Sequence, residues 1–142
     1  MTPESSGVVL DASAAVALLA DAGHAGQWVA ATIKDAILYA PELMPFEVSN
    51  ILRRQTLAGL LDSSEATLAH SDLIALPVDL HPYVGLADRV WQLRKNLTVY
   101  DASYVALAEL LGTALITLDR RMARATGPRC SIVAYPGSAD TP

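Results

Sequence analysis

Short apolar runs alternate along this chain with longer segments whose apolar residues recur at helical spacing. The short runs are almost continuously apolar, which is typical of strands covered on both faces in a parallel sheet. The pattern therefore predicts an α/β fold: one domain with a central parallel sheet of four to five short strands flanked by helices. The predicted strands are Val8–Leu10, Ile37–Tyr39, Pro77–Leu80, Ala114–Leu118 and Ile132–Ala134.

Proline and glycine set the limits of several predicted helices. Pro45 is tolerated in a first helical turn, and Gly59 and Gly112 follow segments that end in apolar residues. Apolar faces are predicted for the third and fifth helices, at Phe46, Val48, Ile51, Leu52 and Leu57, and at Leu86, Val90 and Leu93. The predicted helices are Ser13–Ala20, Ala25–Lys34, Glu42 or Pro45 to Ala58, Ser63–Ala75, Val84–Lys95, Asp101–Leu111 and a short basic helix beginning at Asp119.

Length and composition fit a single domain. The chain has 142 residues, of which 52% are hydrophobic and 18% charged, so it can bury a core. We expect one domain over residues 1–142, with a core at about 8–135 and flexible tails at 1–6 and 137–142. Cys130 has no second cysteine to pair with, and neither a signal peptide nor a membrane span is recognisable. A cytoplasmic location without membrane contact is the expectation.

Charge is unevenly distributed along the chain. The net charge of −5 argues against a polyanionic partner. However, residues 1–50 carry one basic residue against six acids, whereas residues 89–129 carry seven basic residues against three acids. The basic half could form a rim that binds a polyanion, or its arginines could be solvated helix faces. Both interpretations stay open on the sequence alone.

Four acids occupy positions where an α/β sheet places an active site. Asp11 and Asp119 directly follow predicted strands, Asp101 opens a predicted helix, and Glu47 lies in the first turns of another. The carboxyl ends of parallel strands share one edge, so the four acids are predicted to converge there. Each has a simpler explanation, because aspartate caps helices and glutamate is favoured near their N-termini. The four acids are Asp11, Glu47, Asp101 and Asp119.

Four gathered carboxylates would repel each other unless a cation joined them. Mg²⁺ or Mn²⁺ prefers carboxylate oxygens, and a metal held in this way suits hydrolysis of a phosphodiester. The three histidines lack metal-ligand spacing and the cysteine is single, so zinc is not expected. Ser13, Asn50 and Thr117 lie close in sequence to the acids, where they could orient metal-bound water. Ser13 and Thr117 could equally be capping or local hydroxyls.

Several motifs carry a resemblance to a known family. They are Val9–Ser13, Pro41 followed by Glu47 and Asn50, Tyr100–Ala108, and Leu115–Asp119. Their order, spacing and residue types resemble the PIN-domain family and, more narrowly, the VapC toxins of bacterial and archaeal toxin–antitoxin pairs. The resemblance extends from about Val8 to Tyr135, and the family's metal-binding acids match the four acids named above.

The resemblance implies an Mg²⁺- or Mn²⁺-dependent endoribonuclease toxin that cleaves structured RNA of the tRNA or rRNA class. It also implies a PIN-like single domain, a homodimer, and inhibition by a cognate VapB-like antitoxin that inserts a segment at the active site. Candidate contacts to RNA phosphates are Arg120, Arg121 and Arg124. In such systems the antitoxin contacts the promoter, so DNA binding by this chain is not expected.

Other function classes remain to be weighed against this one. A phosphoaspartate enzyme would need a second aspartate two residues after Asp11, where this chain has Ser13. A non-catalytic module that binds an antitoxin or dimerises would not need the four acids. A DNA structure-specific nuclease of the same superfamily would be expected to carry additional DNA-clamping elements that this short chain lacks.

Overall fold

Five parallel strands form the centre of the molecule. The computed structural model describes residues 6–137, so most of the two predicted tails, 1–5 and 138–142, lies outside the described residues. The strand order is β3-β2-β1-β4-β5, and every neighbouring pair is parallel. The prediction of an α/β fold with a five-stranded parallel sheet is therefore confirmed. The strands are β1 (Gly7–Leu10), β2 (Ile37–Pro41), β3 (Val78–His81), β4 (Ala114–Thr117) and β5 (Ile132–Ala134).

Helices connect the strands, and two of them differ from the prediction. The helix predicted over Val84–Lys95 is interrupted at Leu86, whose backbone N–H bonds to the Tyr83 carbonyl three residues back. A 3₁₀ turn (Tyr83–Gly85) therefore precedes a shorter α5. The sixth helix begins at Val99 rather than at Asp101, because the Thr98 side chain caps it. The helices are α1 (Ala12–Ala20), α2 (His24–Thr32), α3 (Met44–Leu57), α4 (Ser63–Ala75), α5 (Ala87–Gln92), α6 (Val99–Leu111) and α7 (Arg120–Arg124).

The chain reverses its direction across the sheet at β1. From β1 it proceeds outward to β2 and β3, then crosses back through α5 and α6 to β4 on the other side of β1. Since such crossovers are right-handed, α1–α4 cover one face of the sheet and α5–α7 cover the other. The carboxyl ends of β1 and β4 therefore flank the topological switch point, where open α/β sheets bind their ligands.

The core lies between the sheet and these helices. Leu86, Val90 and Leu93 are buried, as predicted. The predicted apolar face of α3 is partly wrong: Val48 and Leu52 are buried, but Phe46 and Leu57 are 77% and 72% exposed. Helix α3 packs mainly against α1 and α4, and Phe46 and Leu57 lie on the side of the helix that faces away from them. Among residues 6–137, no helix is long and apolar enough to cross a membrane.

Candidate active site

Asp11 is the most deeply buried of the four acids. It follows β1 directly and caps α1, since its Oδ1 accepts a hydrogen bond from the Ala14 backbone N–H at 2.9 Å. Ser13 donates to the same oxygen at 2.7 Å, and Thr117 donates to Oδ2. Burial nevertheless raises the pKa of Asp11 to about 6, and the charge of Asp101 adds to the rise. Helix capping therefore accounts for one hydrogen bond of Asp11, but it does not explain why a carboxylate is buried here at an energetic cost.

Two hydroxyl groups join the end of β1 to the end of β4. The Thr117 hydroxyl, which donates to Asp11, accepts a hydrogen bond from the Asp119 backbone N–H at 2.9 Å. The Ser13 hydroxyl accepts one from the Leu118 backbone N–H at 3.0 Å. Ser13 and Thr117 thus lie between two of the acids. The third predicted neighbour, Asn50, is exposed on α3 and makes no hydrogen bond to any of the four acids in the described part of the chain.

Glu47 reaches the same edge from the first turn of α3. Burial raises the pKa of its carboxyl group, and the nearby charge of Asp101 raises it further. Its Oε1 accepts a hydrogen bond of 2.6 Å from the hydroxyl of Tyr104, which lies on α6. Sequence reasoning missed Tyr104 as a site residue. The signal was present, because residues three apart on a helix share a face and Tyr104 follows Asp101 by three.

Asp101 lies in the first turn of α6 but does not cap it. Thr98 is the cap, and its hydroxyl accepts the Asp101 backbone N–H at 3.1 Å. The simpler explanation for Asp101, a helix N-cap, is therefore wrong. Burial raises the pKa of its carboxyl group, and the charge of Asp119 raises it further.

Asp119 differs from the other three acids because a cation already neutralises it. It caps α7, and the guanidinium of Arg121 donates to both of its carboxylate oxygens at 3.2 Å. Partial burial would raise the pKa of Asp119, but the hydrogen bonds and charge of Arg121 outweigh this effect and lower it. Asp119 is therefore the most readily ionised member of the set.

The four acids interact electrostatically, with Asp101 at the centre. The charge of Asp101 raises the pKa of both Asp11 and Glu47, and that of Asp119 raises the pKa of Asp101. Within residues 6–137, no three acidic, histidine or cysteine side chains converge closely enough to enclose one metal ion. This arrangement suits Mg²⁺, which keeps several of its waters and is usually held by only one or two carboxylates directly. Carboxylates and hydroxyls alone, without thiolate or imidazole, also fit a hard cation.

The arginines of the basic half are not equally available to a polyanion. Arg89 is held by Glu109 through two hydrogen bonds of 2.6 and 3.1 Å. Arg120 donates to the backbone carbonyls of Tyr135 and Pro136. Arg121 and Arg124 are exposed, and both charges lower the pKa of Asp119, so both lie near the acids.

Comparison with known proteins agrees with this geometry. The sequence profile of the PIN domain family matches residues 8–128. A VapC ribonuclease of Mycobacterium bovis is 40% identical over 129 residues, covering 91% of this chain and 98% of that protein. Ribonuclease VapC1 of Mycobacterium tuberculosis is 39% identical over 125 residues, covering 87% of this chain and 94% of that protein.

Solved structures share the fold. The crystal structure of PAE2754 from Pyrobaculum aerophilum has a TM-score of 0.64 at 24% identity, covering 93% of this chain and 92% of that one. VapC20 of Mycobacterium tuberculosis, a toxin that cleaves the sarcin–ricin loop, also has a TM-score of 0.64, at 14% identity, covering 83% of this chain and 94% of that one. The solved structures show the shared fold, and the family profile and the sequence relatives show that the chain belongs to the PIN domain family and, within it, to the VapC ribonucleases.

Proposed function

We propose that this protein is an Mg²⁺- or Mn²⁺-dependent endoribonuclease toxin that cleaves structured RNA. The observation that carries the proposal is the gathering of four acids from four elements at the topological switch point, with Asp101 electrostatically coupled to the other three. The kinship with VapC ribonucleases supports RNA as the substrate. The class of RNA we propose is tRNA or rRNA.

In this proposal one or two of the four acids would bind the divalent ion directly, and the others would act through its bound waters. A bound ion of this kind supplies a water of lowered pKa and neutralises the charge that develops on the phosphate. Asp101 and Glu47 approach from helices on opposite faces of the sheet, and Asp11 and Asp119 approach from the strand ends between them. Ser13 and Thr117 fix the Asp11 carboxylate, because both donate hydrogen bonds to it.

Cleavage of cellular RNA by the purified chain tests the proposal. We expect discrete new RNA ends in the presence of Mg²⁺ or Mn²⁺, none with chelator, and no cleavage of single- or double-stranded DNA of matched length. Sequencing of the new ends would also identify the target. Absence of cleavage with either ion would contradict the proposal and favour a non-catalytic binding module. Cleavage of the DNA substrates instead would favour a DNA structure-specific nuclease.

Arg121 and Arg124, whose charges act on Asp119, are proposed to contact RNA phosphates. We expect Arg124→Gln to weaken RNA binding and to reduce the slope of log affinity against log salt by about one, the loss of one phosphate contact. Fluorescence anisotropy at several salt concentrations, in chelator to prevent cleavage, measures both quantities. Arg120→Gln is the matched control, since Arg120 is on the same helix but donates to backbone carbonyls. An unchanged slope for Arg124→Gln, or equal changes in both variants, would argue against a contact at Arg124.

An antitoxin of the VapB class is the proposed inhibitor. A cavity of about 430 Å³ lies between α1 and α3 and is lined mainly by apolar side chains, with Ser13 and Leu118 at the acids. A segment that filled this cavity with apolar residues could place a basic side chain against the four acids, whose charge is complementary to it. Co-expression with the antitoxin and mapping of protected amides by hydrogen exchange would test this. Protection confined to other surfaces would exclude it.

A homodimer is the proposed assembly. Helices α3 and α4 expose large apolar residues, Phe46 and Leu57 on α3 and Leu68 and Ile74 on α4. The same helices bury Val48, Leu52 and Leu73, so core packing and surface exposure occur on different faces of each. Light scattering on the purified chain gives the particle mass, and a monomeric mass at micromolar concentration would exclude a stable dimer.

A further inference from the structure

Tyr104 on α6 forms a hydrogen bond to a residue of α3, a helix on the opposite face of the sheet. Helix α6 packs on β1, β2, β4 and α5, whereas α3 packs on α1 and α4. The Tyr104 ring lies in the core and is only 2% exposed. Its hydroxyl extends past the end of the sheet to Glu47 on the other helical layer, at 2.6 Å from Oε1.

In this hydrogen bond the Tyr104 hydroxyl is the donor, because an ionised carboxylate can only accept. Within residues 6–137, no other donor bonds to the Glu47 carboxylate, and Oε2 carries no hydrogen bond at all. One oxygen of Glu47 is therefore held by the protein and the other is free to bind a ligand.

Glu47 benefits from such a support because its side chain is only partly buried and has three rotatable bonds. Without a fixed donor the carboxylate could adopt other rotamers, and ordering it on binding would cost rotamer entropy. A fixed donor removes that cost before the ligand arrives.

We propose that Tyr104 is a positioning residue that holds Glu47 in its metal-binding orientation, an inference that rests on the proposed function. Tyr104 does not touch the ion or the RNA in this role. It acts through the Oε1 of Glu47 and leaves Oε2 for the divalent cation. The Tyr104 ring would pack the core equally well as phenylalanine, so the hydroxyl can be removed without creating a cavity.

The test is the affinity for Mn²⁺ alone, measured by isothermal titration calorimetry without RNA. We expect Tyr104→Phe to bind Mn²⁺ roughly 10-fold more weakly, as is typical when a group that orients a ligand is removed. Tyr39→Phe is the matched control, because it removes the hydroxyl of a tyrosine on β2 that is not bonded to any of the four acids. Cleavage by Tyr104→Phe should recover towards the wild-type rate as Mn²⁺ is raised to saturation.

A double-mutant cycle separates positioning from general destabilisation. In the Glu47→Gln background, Tyr104→Phe should change the Mn²⁺ affinity by less than about twofold, since the carboxylate it positions is gone. An unchanged affinity in Tyr104→Phe, or an equal loss in both backgrounds, would overturn the inference while leaving the nuclease proposal intact. Failure of the wild-type chain to bind Mn²⁺ would overturn both. Thermal melts in chelator verify that each variant is folded.

Discussion

The Asp101→Asn variant is expected to lose RNA cleavage by at least about a hundredfold, the upper range for removing a group that only supports a metal ligand. The charge of Asp101 contributes to the raised pKa of Asp11 and of Glu47, and the charge of Asp119 contributes to the raised pKa of Asp101. Replacing Asp101 by asparagine therefore removes the negative charge that interacts with the other three acids. Because Thr98 caps α6, the substitution removes no capping side chain. Single-turnover cleavage at fixed Mn²⁺ measures the loss.

Asp88→Asn provides the matched control for this prediction. Asp88 is an exposed acid in the first turn of α5, as Asp101 is an acid in the first turn of α6. Both variants lose the same favourable interaction with a helix N-terminus, about 0.3 to 1 kcal/mol for an exposed group. Only Asp101→Asn should lose activity. Retention of cleavage within about threefold in Asp101→Asn, or an equal loss in Asp88→Asn, would show that the carboxylate is not part of the catalytic site.

The position of the four acids could be predicted because it depends on chain order alone. An aspartate that directly follows a buried strand lies at the carboxyl edge of a parallel sheet, wherever the strand is placed. Asp11 and Asp119 satisfy this condition, and the sequence also predicts that Glu47 lies in the first turns of a helix entered from the same edge. What the pattern did not show is that β1 and β4 are neighbours. That adjacency, which places Asp11 beside Asp119, comes from the crossover through α5 and α6.

Other features depend on tertiary contacts, which the spacing of apolar residues in the sequence does not reveal. The apolar spacing of α3 includes Phe46 as readily as Val48, but only one side of the helix meets α1 and α4. The start of α6 was misplaced because both Thr98 and Asp101 are good N-cap residues, and the structure uses the earlier one. In the sequence, Tyr104 is indistinguishable from an ordinary core residue of a helix. Its contact with Glu47, 57 residues away, appears only in three dimensions.

The basic half of the chain is less available to RNA than its composition indicated. Four of its arginines make hydrogen bonds within the protein: Arg89 to Glu109, Arg94 to the Trp91 carbonyl, Arg120 to backbone carbonyls and Arg121 to Asp119. Charge counted along the sequence includes these groups, although their donors are already engaged. Arg124, which is exposed and whose charge acts on Asp119, is therefore a better candidate for RNA contact than the total of seven basic residues suggested.

A second large effect is expected at Asp11, where loss of activity should accompany a gain in stability. Asp11→Asn is nearly isosteric, and its amide oxygen can still accept the capping N–H of Ala14. It should be inactive, because it lacks a carboxylate of the proposed metal site. In chelator at pH 7.5, however, we expect its free energy of unfolding to rise by roughly 1 to 3 kcal/mol. The upper limit follows from the rise of the Asp11 pKa from 3.8 to about 6, at about 1.4 kcal/mol per unit.

The expected gain in stability of Asp11→Asn should depend on pH. Below about pH 4, Asp11 is protonated in both the folded and the unfolded wild type, so the variant should gain little. As pH rises towards 6, the unfolded chain releases the proton before the folded chain does, and wild-type stability falls relative to the variant. The gain should therefore grow between pH 4 and 6 and level off above, as urea melts in chelator would measure.

Asp62→Asn is the contrasting control. Asp62 caps α4 and is exposed, and hydrogen bonds led by the Glu65 N–H lower the pKa of its carboxyl group, so its replacement should destabilise the protein at neutral pH. A gain for Asp11→Asn that did not vary with pH, or a loss at pH 7.5, would mean that the buried charge is not what limits the stability of the metal-free fold.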